Sequence, residues 1–113
     1  MTDDTQQRTE TIRRLNDRFR RTFEGGRIVM TAGVQAIGPD RLRGLLHQVR
    51  TFDSFDESND PHGEHDFCAL VVEGEKYFWK IDYFDRRLEY GSEDPADPQR
   101  TTRVLTLMRA DEY

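Results

Sequence analysis

One cysteine and one tryptophan occur among the 113 residues, and no apolar run is longer than a handful of positions. The lone Cys68 excludes an intrachain disulfide. It sits inside Cys68-Ala69-Leu70-Val71-Val72, where a thiol serves as a small core hydrophobe, and a reducing, cytoplasmic setting is the expectation. No stretch approaches the ~20 apolar residues of a membrane-spanning helix, and residues 1–8 lack the apolar segment of a secretory leader. Also absent are a glycine-rich phosphate loop, a cysteine cluster and a nucleophile elbow. The familiar signatures of nucleotide binding, structural zinc and serine hydrolysis are thereby missing.

What remains is enough chain for a single domain, residues 1–113, which at this length buries about 65% of its unfolded surface. Residues 1–8 read as a flexible tail and residues 53–65 as an acidic loop. Charge is divided unevenly: residues 1–50 carry ten arginines against six acids, net +4, whereas residues 51–113 carry seven basic groups against sixteen acids, net −9. Such halves attract different partners. Arg14, Arg18 and Arg21 form a basic candidate binding face, although pairing with acids elsewhere in the same fold is the favoured explanation for such a charge run.

Hydrophobic spacing predicts the order α-β-α-β-β-β-α, an α+β fold with a three-stranded antiparallel meander over about 66–91. Ile12, Leu15, Phe19 and Phe23 recur at helical spacing over 10–23, and Gly25-Gly26 ends that helix. Ile28, Val29 and Met30 mark a strand. Pro39 opens a second helix over 40–51 with Leu42, Leu45, Leu46 and Val49 inward, which leaves His47 in solvent. Asp97-Pro98 resembles an N-cap and first turn, and Val104, Leu107 and Met108 suggest a last helix over 98–109.

In the meander, turns at Gly74-Glu75 and Asp85-Arg86 oppose Leu70 to Trp79, Asp66 to Tyr83 and Asp82 to Glu89. One face is then apolar, with Tyr77, Trp79 and Tyr83 in the core. The other mixes Phe67, Phe78 and Phe84 with His65, Lys80, Asp82 and Glu89. Two carboxylates directly opposed need a positive neighbour, and Lys80 and His65 stand nearest. His65, Asp82 and Glu89 have the donor types that hold Mg²⁺, Mn²⁺ or Zn²⁺, and Lys80 beside them suits a developing anion. His65, Lys80, Asp82 and Glu89 are therefore the catalytic candidates, with the first, third and fourth as metal ligands. The bland alternative is an ion-pair cluster.

Neighbouring signals are weaker. Asp60-Pro61-His62-Gly63 has the residues of a type I turn, which accounts for His62 without a zinc site. A calcium loop counted from Asp53 puts Ser58 where an EF-hand needs glycine, so that arrangement is rejected. The aromatic strand around Trp79 lies in the acidic half, which disfavours nucleic acid.

Thr31-Ala32-Gly33-Val34, the string Asn59-Asp60-Pro61-His62-Gly63-Glu64-His65-Asp66-Phe67, and Phe78-Trp79-Lys80-Ile81-Asp82-Tyr83-Phe84-Asp85 carry a resemblance. With Tyr90-Gly91-Ser92 and the tail Val104-Leu105-Thr106-Leu107-Met108, they resemble a domain-of-unknown-function family of small bacterial proteins, largely proteobacterial and often encoded on plasmids or mobile elements. The likeness runs from about residue 12 to residue 113 and departs from that family's pattern at Phe84 and Cys68. It implies a free-standing domain and no particular activity. It does put Glu64, Asp66 and Asp85 among the matching strings, and these join the binding candidates. Two functions follow as expectations: a non-catalytic interaction or regulatory protein of a mobile element, acting on a protein partner through the acidic loop and sheet surface, or a metal-dependent hydrolase or nuclease.

Overall fold

Ile12, Asn16, Phe19 and Arg20 recur on one side of a single helical stripe, and in the structure, a computed structural model that describes residues 4–113, all four are buried beneath α1, Asp4–Thr22. Chain direction reverses at Phe23 and Gly25, both at positive φ. The chain then enters β1, Gly26–Met30. Gly26 is required by close approach: a Cβ there would stand 2.5 Å from the Arg103 carbonyl oxygen and 2.7 Å from the Phe19 ring. A short helix, α2 (Ala32–Gln35), and α3 (Pro39–Thr51) follow, the latter with proline in its first turn. Three strands complete the fold, β2 (Phe67–Val72), β3 (Glu75–Phe84) and β4 (Thr102–Arg109), before a final 3₁₀ turn over Ala110–Glu112.

The α+β class stands, but the sheet has four strands in the order β1-β4-β3-β2, and it is mixed. β1 runs parallel to β4, while the other two pairings are antiparallel. Three expectations change accordingly. The segment read as the last helix is β4, because Arg103, Leu105 and Leu107 alternate with Val104 and Thr106, and four β-branched residues lie within 101–106. Asp97 caps only a turn, its carboxylate accepting the Gln99 amide at 2.9 Å. The segment read as the third meander strand is a loop, held by the Asp85 carboxylate on the amides of Arg87 and Glu89 and touching the sheet through one Phe84–Gly91 bridge. Helix α1 also starts at Asp4, so most of the expected tail is helical and Arg8 pairs with Asp94 at 3.2 Å. Residues 1–3 of that tail lie outside the described residues.

The hairpin turn falls at Glu73-Gly74, where φ values of 50° and 81° give the left-handed pair that a type I′ turn needs. Cys68 thus opposes Trp79 and Leu70 opposes Tyr77, two positions from the expected register. A slip of two preserves every facing. The core lies between the sheet and its helices: Phe19, Val34, Leu45 and Val49 pack on Cys68, Tyr77, Trp79, Leu105 and Leu107. Among the described residues no α-helix packs on the opposite face, where the 3₁₀ turn and Tyr113 reach β3. That face carries Phe67, Val71, Phe78, Lys80, Asp82 and Phe84, with the Tyr113 ring against Phe67 and Phe78.

Candidate functional site

Strand β3 positions Lys80 and Asp82 on the open face, where the ammonium and a carboxylate oxygen stand 3.0 Å apart, each side chain about two-fifths exposed. An ion pair so exposed contributes at most ~1 kcal/mol. The expected Asp82–Glu89 pairing is absent, because β4 takes that edge of β3 and puts Val104 opposite Asp82. Glu89 is exposed in the following loop. His65 lies on the other side of the sheet, its ring stacked on Phe55, which in turn meets Trp79 edge-on. The structure therefore keeps His65, Asp82 and Glu89 apart, with Lys80 beside Asp82 alone. Among the described residues no three His, Cys, Asp or Glu side chains gather at metal-binding distance.

What the helix-covered side does assemble is a chain of charged groups that pins the acidic loop to two helices. Arg20, fully buried on α1, donates from Nη1 to the carbonyls of Val49 and Phe52 at 2.7 Å each and from Nη2 to Asp17 at 2.9 Å. Those carbonyls belong to the C-terminal end of α3, whose last acceptors have no partner within the helix and whose dipole favours a cation. Asp17 also meets His65 Nδ1 at 2.9 Å, and His65 Nε2 lies 3.5 Å from Asp60. The His65 backbone is left-handed, and its amide donates to the same Asp60 carboxylate at 3.1 Å. With a carboxylate at each ring nitrogen and Phe55 across one face, this imidazole is held rather than presented. The turn expected at Asp60-Pro61-His62-Gly63 is present, with the Gly63 amide on the Asp60 carbonyl.

A second buried network lies beside the first. Arg103 donates from Nε to Asn16 Oδ1 at 2.7 Å and from Nη2 to the Pro95 carbonyl, and its guanidinium stands 5.3 Å from the centre of the Tyr83 ring. The Asn16 amide donates to the Glu64 carbonyl and to the Tyr83 hydroxyl, which in turn donates to the Glu64 carboxylate at 2.7 Å. Burial, reinforced by that carboxylate, pushes the Tyr83 hydroxyl well above its ordinary range and keeps it protonated. Burial lowers the Arg103 value. Burial raises the Asp66 carboxyl, and the Glu64 charge adds to the rise. Burial likewise raises the Cys68 thiol, in keeping with a core role.

Several expected binding residues therefore have structural duties: Glu64 closes the second network, Asp85 caps a loop, and Asp66 accepts the Ile81 amide through its carbonyl. Arg14, Arg18 and Arg21 are exposed along α1. Asn16, Asp17, Arg20 and Arg103 were not singled out by the sequence reading. A signal existed, since Asn16 and Arg20 continue the apolar stripe from Ile12 at helical spacing, and a polar group on such a stripe asks for a buried partner.

The family described as "Protein of unknown function (DUF3768)" matches residues 30–112. The chain belongs to this family. The DUF3768 match begins at the end of β1, so it contains His65, Asp60, Glu64, Tyr83 and Arg103, while Asn16, Asp17 and Arg20 on α1 precede it. No curated protein and no solved structure matches the chain.

The Asp17 carboxyl carries a testable pH dependence. Burial alone would raise its pKa, but hydrogen bonds and charge from Arg20 and His65 outweigh that and leave it below the ordinary aspartate value. A depressed folded value stabilises the fold above the unfolded value and loses that contribution as pH falls through the folded one. The window is below about pH 4. Asp66, raised by burial, acts oppositely: its charge opposes folding at neutral pH and is relieved on acidification. Asp17→Asn should cost ~1.5–3 kcal/mol at pH 7 and converge with the parent as the pH falls below the ordinary aspartate value. Urea midpoints across pH 2–7 check this, and parallel curves over the whole range would show that Asp17 is not ionised between Arg20 and His65.

Proposed function

We infer that this chain is a non-catalytic interaction module that binds a partner protein on the uncovered face of its sheet. The supporting observation is the asymmetry of that sheet: one face is sealed by helices, while the other presents aromatic and aliphatic side chains, including Val71 at 62% exposure. Phe67, Phe78 and Tyr113 pack ring on ring at 5.3–5.8 Å, so the platform is ordered before any partner arrives. A groove of about 350 Å³ runs beside it between Thr31, Lys80, Thr106, Met108 and the tail residues Glu112 and Tyr113. Among the described residues Arg27, Lys76 and Lys80 share this face with Asp82 and with Glu112 of the groove, an excess of one positive charge, so the matching partner is an apolar segment flanked by carboxylates. The acidic loop contributes less than its composition suggests, because Asp56 and Asp60 are spent on internal hydrogen bonds. Asp53 and Glu57 remain exposed at its rim. In the bacterial mobile-element setting that the family resemblance implies, such a module acts in the cytoplasm by occupying a host or element protein.

Photocrosslinking tests this reading. Benzoylphenylalanine placed at Val71 or Phe84 should trap one defined protein in the native host, and the same probe at His47, exposed on α3, should not. Lys76→Glu with Lys80→Glu should weaken binding of the purified partner by about tenfold or more, since each reversal sets like charges opposite. Equal crosslinking from His47, or binding indifferent to both reversals, would overturn the assignment to this face.

A further inference from the structure

Arg103 is 3% exposed, and every group it touches is neutral: the Asn16 amide oxygen, the Pro95 carbonyl and the Tyr83 ring. The nearest acid in that network, Glu64, stands behind Tyr83 and is occupied by its hydroxyl. Glu64 acts on this guanidinium only through space and forms no ion pair with it, and removing a guanidinium from water without a directly paired charge is costly. The third nitrogen of the group, Nη1, has no hydrogen-bond partner among the described residues, yet it is not sealed in the interior as the orphaned Arg20 Nε and Trp79 Nε1 are. Arg103 is one of the residues that line a cavity of about 290 Å³ between α1, the Glu24-Gly25 bend and the segment leading into β4. Leu15, Phe19 and Pro98 give that cavity apolar walls, and Arg18 reaches it from the exposed side of α1.

We propose that this cavity is a binding site for a monoanionic organic carboxylate, whose carboxylate is held between Arg103 and Arg18 and whose apolar body lies against Leu15, Phe19 and Pro98. Two guanidiniums match a carboxylate in both charge and planar geometry. The alternative anion, a phosphate dianion, is disfavoured by Glu24 at the mouth, which leaves the site with a net charge of only about +1. The Thr101 hydroxyl in the wall is already engaged with Ser92 and the Asp94 carbonyl, so specificity falls to the two arginines. This site lies on the helix-covered side of the sheet and is independent of the open face.

Titration of the ¹⁵N-labelled full chain with benzoate, benzamide and inorganic phosphate at constant ionic strength provides the test. Benzoate should move the Gly25 and Thr101 amide signals and the Arg103 Nε–H signal saturably, while benzamide leaves them in place. Arg18→Gln, a surface change with an unaltered circular dichroism spectrum, should weaken benzoate by about tenfold, the equivalent of one charge-assisted hydrogen bond. Glu24→Gln should tighten benzoate and admit phosphate. Three results would each overturn the proposal: no saturable response to benzoate, an equal response to benzamide, or tighter binding of phosphate than of benzoate by the parent chain.

Discussion

Arg20→Met should destabilise the protein by ~3–5 kcal/mol, the range for removing one member of a buried ion pair. The loss is large because three acceptors are abandoned together: the carbonyls of Val49 and Phe52 and the Asp17 carboxylate. Asp17 would keep only His65, itself placed by Asp60, so the acidic loop should loosen at the same time. Arg20→Lys retains the charge without the planar fork, cannot reach both carbonyls and Asp17 at once, and should fall between the two. Urea midpoints give the energies, and amide exchange over 53–66 reports the loop. An unchanged midpoint for Arg20→Met would show that α1 docks by its apolar stripe alone.

Trp79→Ala should cost a similar ~3–5 kcal/mol, because it empties the largest fully buried side chain in the core. Trp79 lies opposite Cys68 on β2 and Leu107 on β4, with Phe55 edge-on and the Arg20 guanidinium 5.3 Å from its ring centre. The two predictions are therefore coupled, and their double-mutant cycle should depart from additivity by ~0.5–3 kcal/mol. Trp79→Phe separates volume from polarity. It deletes an indole N–H that has no partner in the core, so it should cost less than the lost ring volume alone implies. A melting temperature unchanged in Trp79→Ala would place the residue on the wrong face of the sheet.

The parts of the fold that were legible are those where one local signal had no competitor. Ile12, Phe19 and Phe23 gave α1, Pro39 with Leu45 and Val49 gave α3, and alternation along Tyr77, Trp79 and Ile81 gave the buried face of β3. The β4 segment carried two periodicities at once. Val104, Leu107 and Met108 satisfy a helix, while Arg103, Leu105 and Leu107 satisfy a strand, and only the long-range choice of β4 as neighbour to β1 and β3 decides between them. That same choice removed the expected site, since Glu89 loses its place beside Asp82 once β4 occupies the edge. The polar networks were hidden for a related reason. Nothing local marks Arg103 for burial until its strand is known to be central, and His65 reads as a neighbour of Lys80 and Asp82 on the mixed face until Phe55 and Asp17 are brought to it from distant segments.

The parallel pairing of β1 with β4 sets a rule for how this protein comes into being. Ile28 finds its partner only in Leu105, about two-thirds of the chain later, so β1 leaves the ribosome long before anything exists to pair with it. The hairpin of β2 and β3 forms from neighbours in sequence and is available early. The sheet is complete only when β4, the last strand in the sequence, pairs with both β1 and β3. A chain that stops before residue 102 therefore forfeits the strand that joins its two halves, and exposes the inner edges of β1 and β3 to whatever else will pair with them.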